Sequence, residues 1–130
     1  MKVFVPVDGS DCSKRAVAFA AEMAERYEGE LRVVHLTDAD TDAARQVLDG
    51  VRDLLPDDHE GEASFEVVVR DMSTPTASRV GNEILDYAAE VDADHVVMGH
   101  HGAGAVERAI LGSAAETVVR GEAVPVTVIP

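Results

Sequence analysis

Residues 95–114, HVVMGHHGAGAVERAILGSA, contain the features that decide the fold. The run His95–Met98 has the length and the β-branched content of a strand that is buried on both faces. A glycine-rich segment then extends to Leu111, and Gly112-Ser113 stands where a short helix begins. A strand, a glycine-rich turn and a helix in this order predict one repeat of an alternating α/β chain.

The rest of the chain repeats this alternation. Further apolar runs predict strands at Lys2–Val7, Leu31–Leu36, Phe65–Val69 and Val126–Ile129. Apolar residues three or four positions apart predict helices over Ser13–Tyr27, Ala44–Leu54, Val80–Val91 and Ser113–Arg120. Strands that alternate with helices are joined as parallel neighbours by right-handed crossovers. We therefore expect one domain over residues 1–130, an α/β fold whose doubly wound, five-stranded parallel sheet carries helices on both faces.

Composition narrows the classes of function. The chain of 130 residues has 25 acidic and 11 basic side chains and a formal net charge of −14. Such a surface repels phosphate backbones, so we expect no nucleic-acid partner. No apolar run approaches the ~18 residues of a membrane span, and the start of the chain has no signal-peptide pattern. A single cysteine, Cys12, excludes an internal disulfide, and we expect a cytoplasmic protein without a membrane partner.

Two predicted strand ends carry the residues of a possible binding site. Ligands of open α/β sheets bind beyond the carboxyl ends of the strands, where the strand order reverses. One such end reads Pro6-Val7-Asp8-Gly9-Ser10, and the other contains Gly99 and Gly102, which permit a close backbone approach. Gly112-Ser113 would present backbone N–H groups and the helix dipole to an anion. A glycine-rich surface turn with a capping serine accounts equally well for these residues taken alone.

Two familiar phosphate-binding motifs are absent from the sequence. A P-loop requires a lysine after its second glycine, and no lysine follows Lys14. A dinucleotide fingerprint that started at Gly102-x-Gly104 would need a third glycine where Glu107 stands.

The histidine pair His100-His101 is not expected to bind a metal ion. Adjacent loop residues rarely offer both rings to one ion, and no cysteine or histidine partner is suitably spaced in the sequence. We interpret Cys12 as a small buried or half-buried side chain.

The glycine spacing resembles a known signature. Gly99-x-x-Gly102, nine residues, then Gly112-Ser113 is similar to the G-x2-G-x9-G-[ST] pattern of ATP-binding universal stress proteins. The likeness covers essentially the whole chain, including the opening Val5–Ser10, the second strand's Val33–Leu36 and the closing Pro125–Val128. Two features depart from the family pattern, His100 inside the glycine loop and the long segment Arg70–Thr76.

The resemblance implies a Rossmann-like sheet of the adenine nucleotide alpha hydrolase type, with strand order 3-2-1-4-5. It implies that ATP, with Mg²⁺ or Mn²⁺, binds between strands one and four. The residues that match the family's binding positions are Pro6, Val7, Asp8, Leu36, Met98, Gly99, His101, Gly102, Gly112, Ser113 and Ala114. Those up to Leu36 would contact the adenosine, Met98 and Gly99 the sugar and phosphates, and Gly102, Gly112, Ser113 and Ala114 the triphosphate.

The resemblance also implies a role, a regulatory nucleotide-binding module of the stress response. No residue is assigned to catalysis, and we expect at most slow ATP hydrolysis. Family members often form homodimers through the last strand, here Val126–Ile129. An ATP-independent dimeric interaction or chaperone-like protein is the alternative. A phosphate-accepting receiver domain is disfavoured because it needs a lysine after strand five, where this chain has none.

The excess of acidic residues generates a first prediction. Acid-rich, lysine-poor chains resemble proteins of organisms that keep high salt inside the cell. At molar salt the screening length falls to about 3 Å, so the self-repulsion of the net charge of −14 should weaken. We expect a higher melting temperature in molar KCl than in dilute buffer, measured by circular dichroism. An unchanged or lower melting temperature would contradict this interpretation.

Overall fold

The computed structural model describes residues 1–59, 61–71, 79–101 and 111–130. The strands are β1 (Lys2–Pro6), β2 (Glu30–Thr37), β3 (Ala63–Val69), β4 (His95–Gly99) and β5 (Val126–Ile129). The helices are α1 (Asp11–Arg26), α2 (Asp42–Arg52), α3 (Arg79–Glu90) and α4 (Ser113–Arg120). The predicted alternation of strands and helices is confirmed, although individual ends differ by a few residues. Helix α1 begins before Ser13, because the side chain of Ser10 caps its first turn.

The described strands form one parallel sheet in the order β3-β2-β1-β4-β5. Strand β1 lies at the centre, with Val3 paired to Leu31 of β2 and to His95 of β4. The fold class and the strand order are therefore confirmed. Because the order reverses between β1 and β4, a crevice is expected beyond the carboxyl ends of these two strands.

Helices cover both faces of the sheet. Val3 and Val5 of β1 pack with α1 and α2 on one face, whereas Phe4 packs with α3 and α4 on the other. This arrangement explains why β1 is apolar from Val3 to Pro6, since neither face of a doubly covered strand meets water. Among the described residues no helix has both the length and the apolar character needed to cross a bilayer.

Helix α1 lies close to the sheet because its inner side chains are small. Its buried residues are Cys12, Ser13, Ala16, Val17, Ala20, Ala21 and Ala24. The sequence predicts a helix up to Tyr27, whereas α1 ends at Arg26 and Tyr27 is 63% exposed. Tyr27 is the C-cap residue of α1, so its side chain lies beyond the last helical residue and outside the buried face of the helix.

Candidate functional site

The carboxyl ends of β1 and β4 lie side by side, and the chain leaves them on opposite faces of the sheet. After β1 the chain enters α1, which packs on one face. The segment after β4 leads to α4, which packs on the other face. The starts of both helices therefore flank the crevice at this edge of the sheet.

The end of β1 is held by hydrogen bonds to β2. The Val7 amide donates to the carbonyl of Val34 over 2.9 Å, and the Val7 carbonyl lies 2.8 Å from Nδ1 of His35. A carbonyl oxygen only accepts, so Nδ1 of His35 must carry the proton. Val7 itself is buried, and its backbone is thereby held on both of its hydrogen-bonding groups.

Asp8 shapes the turn that follows. Its Oδ1 accepts a hydrogen bond of 2.9 Å from the amide of Ser10, and Gly9 between them adopts a φ of +86°. An aspartate that bonds the backbone two residues on forms an Asx-turn, and the positive φ favours glycine. The Asp8 side chain is exposed just beyond the carboxyl end of β1.

The start of α1 is closed by the chain's own side chains. Ser10 Oγ accepts from the amide of Ser13 over 3.3 Å, and Ser13 Oγ donates to the carbonyl of Ser10 over 2.9 Å. The first of these bonds satisfies an amide that a helix N-terminus otherwise leaves without an intrahelical partner.

Gly99 lies directly against the first turn of α1. A Cβ at this position would be 2.5 Å from Sγ of Cys12 and 3.1 Å from the amide nitrogen of Ser13. The absence of a side chain here therefore permits close packing of helix and strand. Our prediction assigned this freedom to ligand approach, yet at Gly99 the helix occupies the space that a Cβ would need.

The start of α4 is held against the residues that follow β4. The Gly112 amide donates to the carbonyl of His100 over 2.5 Å, and the His100 amide donates to the carbonyl of Ile129 over 2.8 Å. A Cβ on Gly112 would lie 2.8 Å from Cα of His101, so only glycine fits without a shift.

Helix α4 differs from α1 in having no side-chain cap. Gly112 occupies the N-cap position, and no side-chain hydrogen bond closes this end among the described residues. Ser113 is exposed and Ala114 is half-buried at the first two helical positions. The first-turn amides of a helix have no intrahelical partners and favour an anion.

All the predicted site residues that the structure describes lie at this edge of the sheet. Pro6 ends β1, while Leu36 and Met98 are the last residues but one of β2 and β4. Leu36 and Met98 pack into the apolar cluster beneath α3 and α4. Gly102 lies outside the described residues.

The sequence did not reveal that His35 bonds the Val7 carbonyl, or that Cys12 lies beside the histidine pair. The His35 bond to Val7 spans 28 residues, and the only signal was a polar residue within an apolar strand. We expected no cysteine partner for the histidine pair, and this was wrong. Sγ of Cys12 and a ring nitrogen each of His100 and His101 lie within 4.8 Å of one another. The parallel pairing of β1 with β4 brings Cys12 close to His101, 89 positions away, which spacing in the sequence cannot reveal.

Comparisons with known proteins agree with this architecture. A model of the universal stress protein family matches residues 1–130. A universal stress protein of Methanocaldococcus jannaschii is 29% identical, over 98% of this chain and 81% of its own. A universal stress protein structure from Archaeoglobus fulgidus is 28% identical with a TM-score of 0.77, covering 100% of this chain and 93% of its own. Another structure from that organism, in complex with dAMP, is 26% identical with a TM-score of 0.75, covering 100% of this chain and 98% of its own.

The contact between Gly99 and α1 generates a second prediction. Gly99→Ala should lower the free energy of unfolding by about 1–3 kcal/mol, because the new methyl group overlaps Cys12 and the helix backbone. Urea denaturation of both forms in molar KCl measures the change.

Gly50→Ala is the matched control for this substitution. Gly50 lies within α2, and a Cβ at this position would have no neighbour within 4 Å. The added methyl group therefore meets open space, and alanine is favoured over glycine in a helix by about 0.5–1 kcal/mol. We expect Gly50→Ala to be neutral or stabilising. A Gly99→Ala variant as stable as the unaltered protein would refute the assigned role of this contact.

Proposed function

Because the chain belongs to the universal stress protein family, we propose that it binds an adenine nucleotide in the crevice between β1 and β4. The nucleotide we propose is ATP, accompanied by Mg²⁺ or Mn²⁺. We further propose that the chain is a cytoplasmic, single-domain regulatory module of the stress response. The related Archaeoglobus fulgidus protein in complex with dAMP supports an adenine nucleotide as the ligand.

The uncapped start of α4 is the observation that carries this proposal. Both flanking helices begin at the crevice, but Ser10 caps α1 and no side chain caps α4 among the described residues. The bond from the Gly112 amide to His100 holds the start of α4 beside the end of β4. A phosphate at this place would accept hydrogen bonds from the first-turn amides and from the Ser113 hydroxyl.

Because of the overall negative charge, ATP binding depends strongly on the amide and hydroxyl donors at the start of α4. A net charge of −14 repels a nucleotide at long range. High salt screens that repulsion, whereas amide donors at short range are screened much less. We therefore expect binding to tolerate molar KCl, because it depends on close hydrogen bonds and on apolar contact with the base.

The end of β1 is suited to the adenosine part of the ligand. Pro6 and Leu36 are half-buried, which gives apolar surface for a base. Val7 is buried in the cluster against α1 and α2 on the other face of the sheet and supports this end of β1. The exposed Asp8 carboxylate can accept a hydrogen bond from a ribose hydroxyl. The bond from His35 to the Val7 carbonyl keeps this backbone in place before a ligand arrives.

We expect hydrolysis of the bound ATP to be slow at most. Rapid hydrolysis requires a group that orients or deprotonates water at the terminal phosphate. We place Asp8, which follows β1, at the adenosine end, and we assign no residue to the orientation of water at the terminal phosphate. ATP would then act mainly as a ligand that shifts the protein toward the conformation to which it binds best.

Replacing Ser113 with aspartate tests the phosphate position. A carboxylate in the first turn of α4 interacts favourably with the positive end of the helix dipole, so Ser113→Asp should fold with unchanged or slightly higher stability. The same charge should repel the triphosphate and weaken ATP binding by about 10-fold or more, corresponding to about 1.4 kcal/mol. Calorimetric titration with ATP and Mg²⁺ in molar KCl measures both affinities.

The matched control is Ser64→Asp, which makes the same change in net charge at an exposed residue of the edge strand β3. We expect this variant to bind ATP like the unaltered protein. Equal weakening by both substitutions would indicate a general charge effect and contradict the assigned position. A folded, unaltered protein that gives no heat with ATP, ADP or AMP would contradict nucleotide binding and favour an ATP-independent interaction protein.

We also propose a homodimer that forms through β5. This strand is at one edge of the sheet. The carbonyls of Pro125 and Ile129 accept hydrogen bonds from the amides of Val96 in β4 and of His100, which follows β4. By alternation, Val126 and Val128 direct their backbone groups away from the sheet. An antiparallel copy of the same strand would pair with these groups and cover the edge.

Val128→Pro should convert the dimer into a monomer. Proline lacks the outward N–H but is compatible with an edge strand, so the single chain should still fold. Light scattering during size-exclusion chromatography measures the mass.

Val69→Pro is the matched control at the opposite edge. The Arg70 amide donates to Thr37 of β2, so by alternation Val69 directs its backbone groups outward from β3. This variant should remain dimeric. A monomeric unaltered protein, or a dimeric Val128→Pro variant, would contradict the assignment of the interface to β5.

A further inference from the structure

We propose that Cys12, His100 and His101 form a binding site for a transition-metal ion of the Zn²⁺ type. One potential ligand atom of each residue lies within 4.8 Å of those of the other two. Cys12 is buried, and both histidines are half-buried beside it. His101 is also among the residues that match the family's nucleotide-binding positions, but the proposed ligand set contains no nucleotide and is tested without one.

The distances are close to those of a metal centre. Sγ of Cys12 lies 3.9 Å from Nδ1 of His101. In a tetrahedral zinc site, with Zn–S of about 2.3 Å and Zn–N of about 2.0 Å, the sulfur and nitrogen are about 3.5 Å apart. A shift of a few tenths of an ångström would therefore bring these two atoms onto one ion. The ring centroids of the two histidines are 4.0 Å apart, so the second imidazole is also within reach.

The ring of His100 has an unsatisfied polar atom. Its Nδ1 is buried and has no hydrogen-bond partner among the described residues. A buried polar atom without a partner is costly, and such atoms often mark the position of an ion or water. Ligation of a metal through this nitrogen would provide the missing partner.

The thiol of Cys12 is placed to exchange its proton for a metal. It donates a hydrogen bond of 2.8 Å to the carbonyl of His101 and lies 3.5 Å from Oγ of Ser10. The thiolate is the form of cysteine that binds metal, so binding would release this proton to solvent. The Ser10 hydroxyl could then donate to the sulfur and orient it, as outer-shell partners do.

The backbone holds two of the three ligands in place, and His101 directly follows one of them, His100. Cys12 is in the first turn of α1 and lies against Gly99, while the amide of His100 is bonded to Ile129 of β5. Little reorganisation is therefore needed on binding, which favours affinity. Three protein ligands leave a fourth tetrahedral position for water or another small ligand.

The donor atoms determine the class of metal. One sulfur and two imidazole nitrogens suit Zn²⁺, Co²⁺ or copper, whereas Mg²⁺ and Ca²⁺ prefer oxygen. We commit to a zinc-type ion, for which Co²⁺ is a spectroscopic substitute with the same tetrahedral preference.

Titration with Co²⁺ of the reduced, nucleotide-free protein tests the site. Because Cys12 is the only cysteine, a sulfur-to-cobalt charge-transfer band in the near ultraviolet must come from it. We expect this band to saturate at one ion per chain and to disappear when Zn²⁺ displaces the cobalt. Absence of the band, or saturation at half an ion per chain, would overturn the proposal. ATP is left out, so a failure here is distinct from a failure of nucleotide binding.

Variants of the ligands make the test specific. Cys12→Ser should abolish the band, and His100→Asn should weaken Zn²⁺ binding by more than about 100-fold, since even outer-shell changes cost about 10–100-fold. His59→Asn is the control, because this histidine lies 3.0 Å from Glu25 and outside the cluster. It should bind Zn²⁺ like the unaltered protein.

Circular dichroism first establishes that each variant is folded. If Cys12→Ser does not fold, the comparison of the unaltered protein with His100→Asn still tests the metal site. His100→Asn should fold, because His100 is only half-buried and its hydrogen bonds to Ile129 and Gly112 are made by the backbone. Equal Zn²⁺ affinity of His100→Asn and His59→Asn would overturn the proposal.

Discussion

The close approach of α1 to the backbone of Gly99 is the contact on which the carboxyl edge of the sheet depends. The space that a side chain at Gly99 would fill is taken by Cys12 and the helix backbone. Small inner residues such as Ala16 and Ala20 allow this approach, and parallel pairing of β1 with β4 makes it possible. The first turn of α1 consequently lies beside the histidine pair, and the crevice has one rigid wall.

The two helices at the crevice begin in different ways, and this difference divides their roles. Ser10 caps α1, because its side chain accepts a hydrogen bond from the Ser13 amide in the first turn. Gly112, the N-cap residue of α4, has no side chain to close that end, but its amide is bonded to the carbonyl of His100, which fixes the start of the helix. We therefore assign structural support to α1 and anion binding to α4. The proposed metal site lies at the α1 side, where its sulfur ligand is located.

Much of the fold could be predicted because the strands are buried on both faces. The continuous apolar run at β1 and the helical spacing in α2 follow directly from that burial. The strand order came only from the family resemblance, since alternation alone does not rank neighbours. The roles of Cys12 and His35 escaped prediction, because each depends on a contact between residues distant in the sequence. The packing of α1 against Gly99 was also not predicted, since a glycine in the sequence does not show which neighbour occupies the space of the missing side chain.

The most direct measurement is a nuclear magnetic resonance titration of the ¹⁵N-labelled protein with ATP and Mg²⁺ in molar KCl. If phosphate binds at α4 and adenosine at the end of β1, the amides of Ser113, Ala114 and Val7 should shift together and saturate together. The amide of Asp94, at the opposite end of the sheet, should not move. Shifts confined to that opposite end, or none at saturating ATP, would contradict nucleotide binding in the crevice.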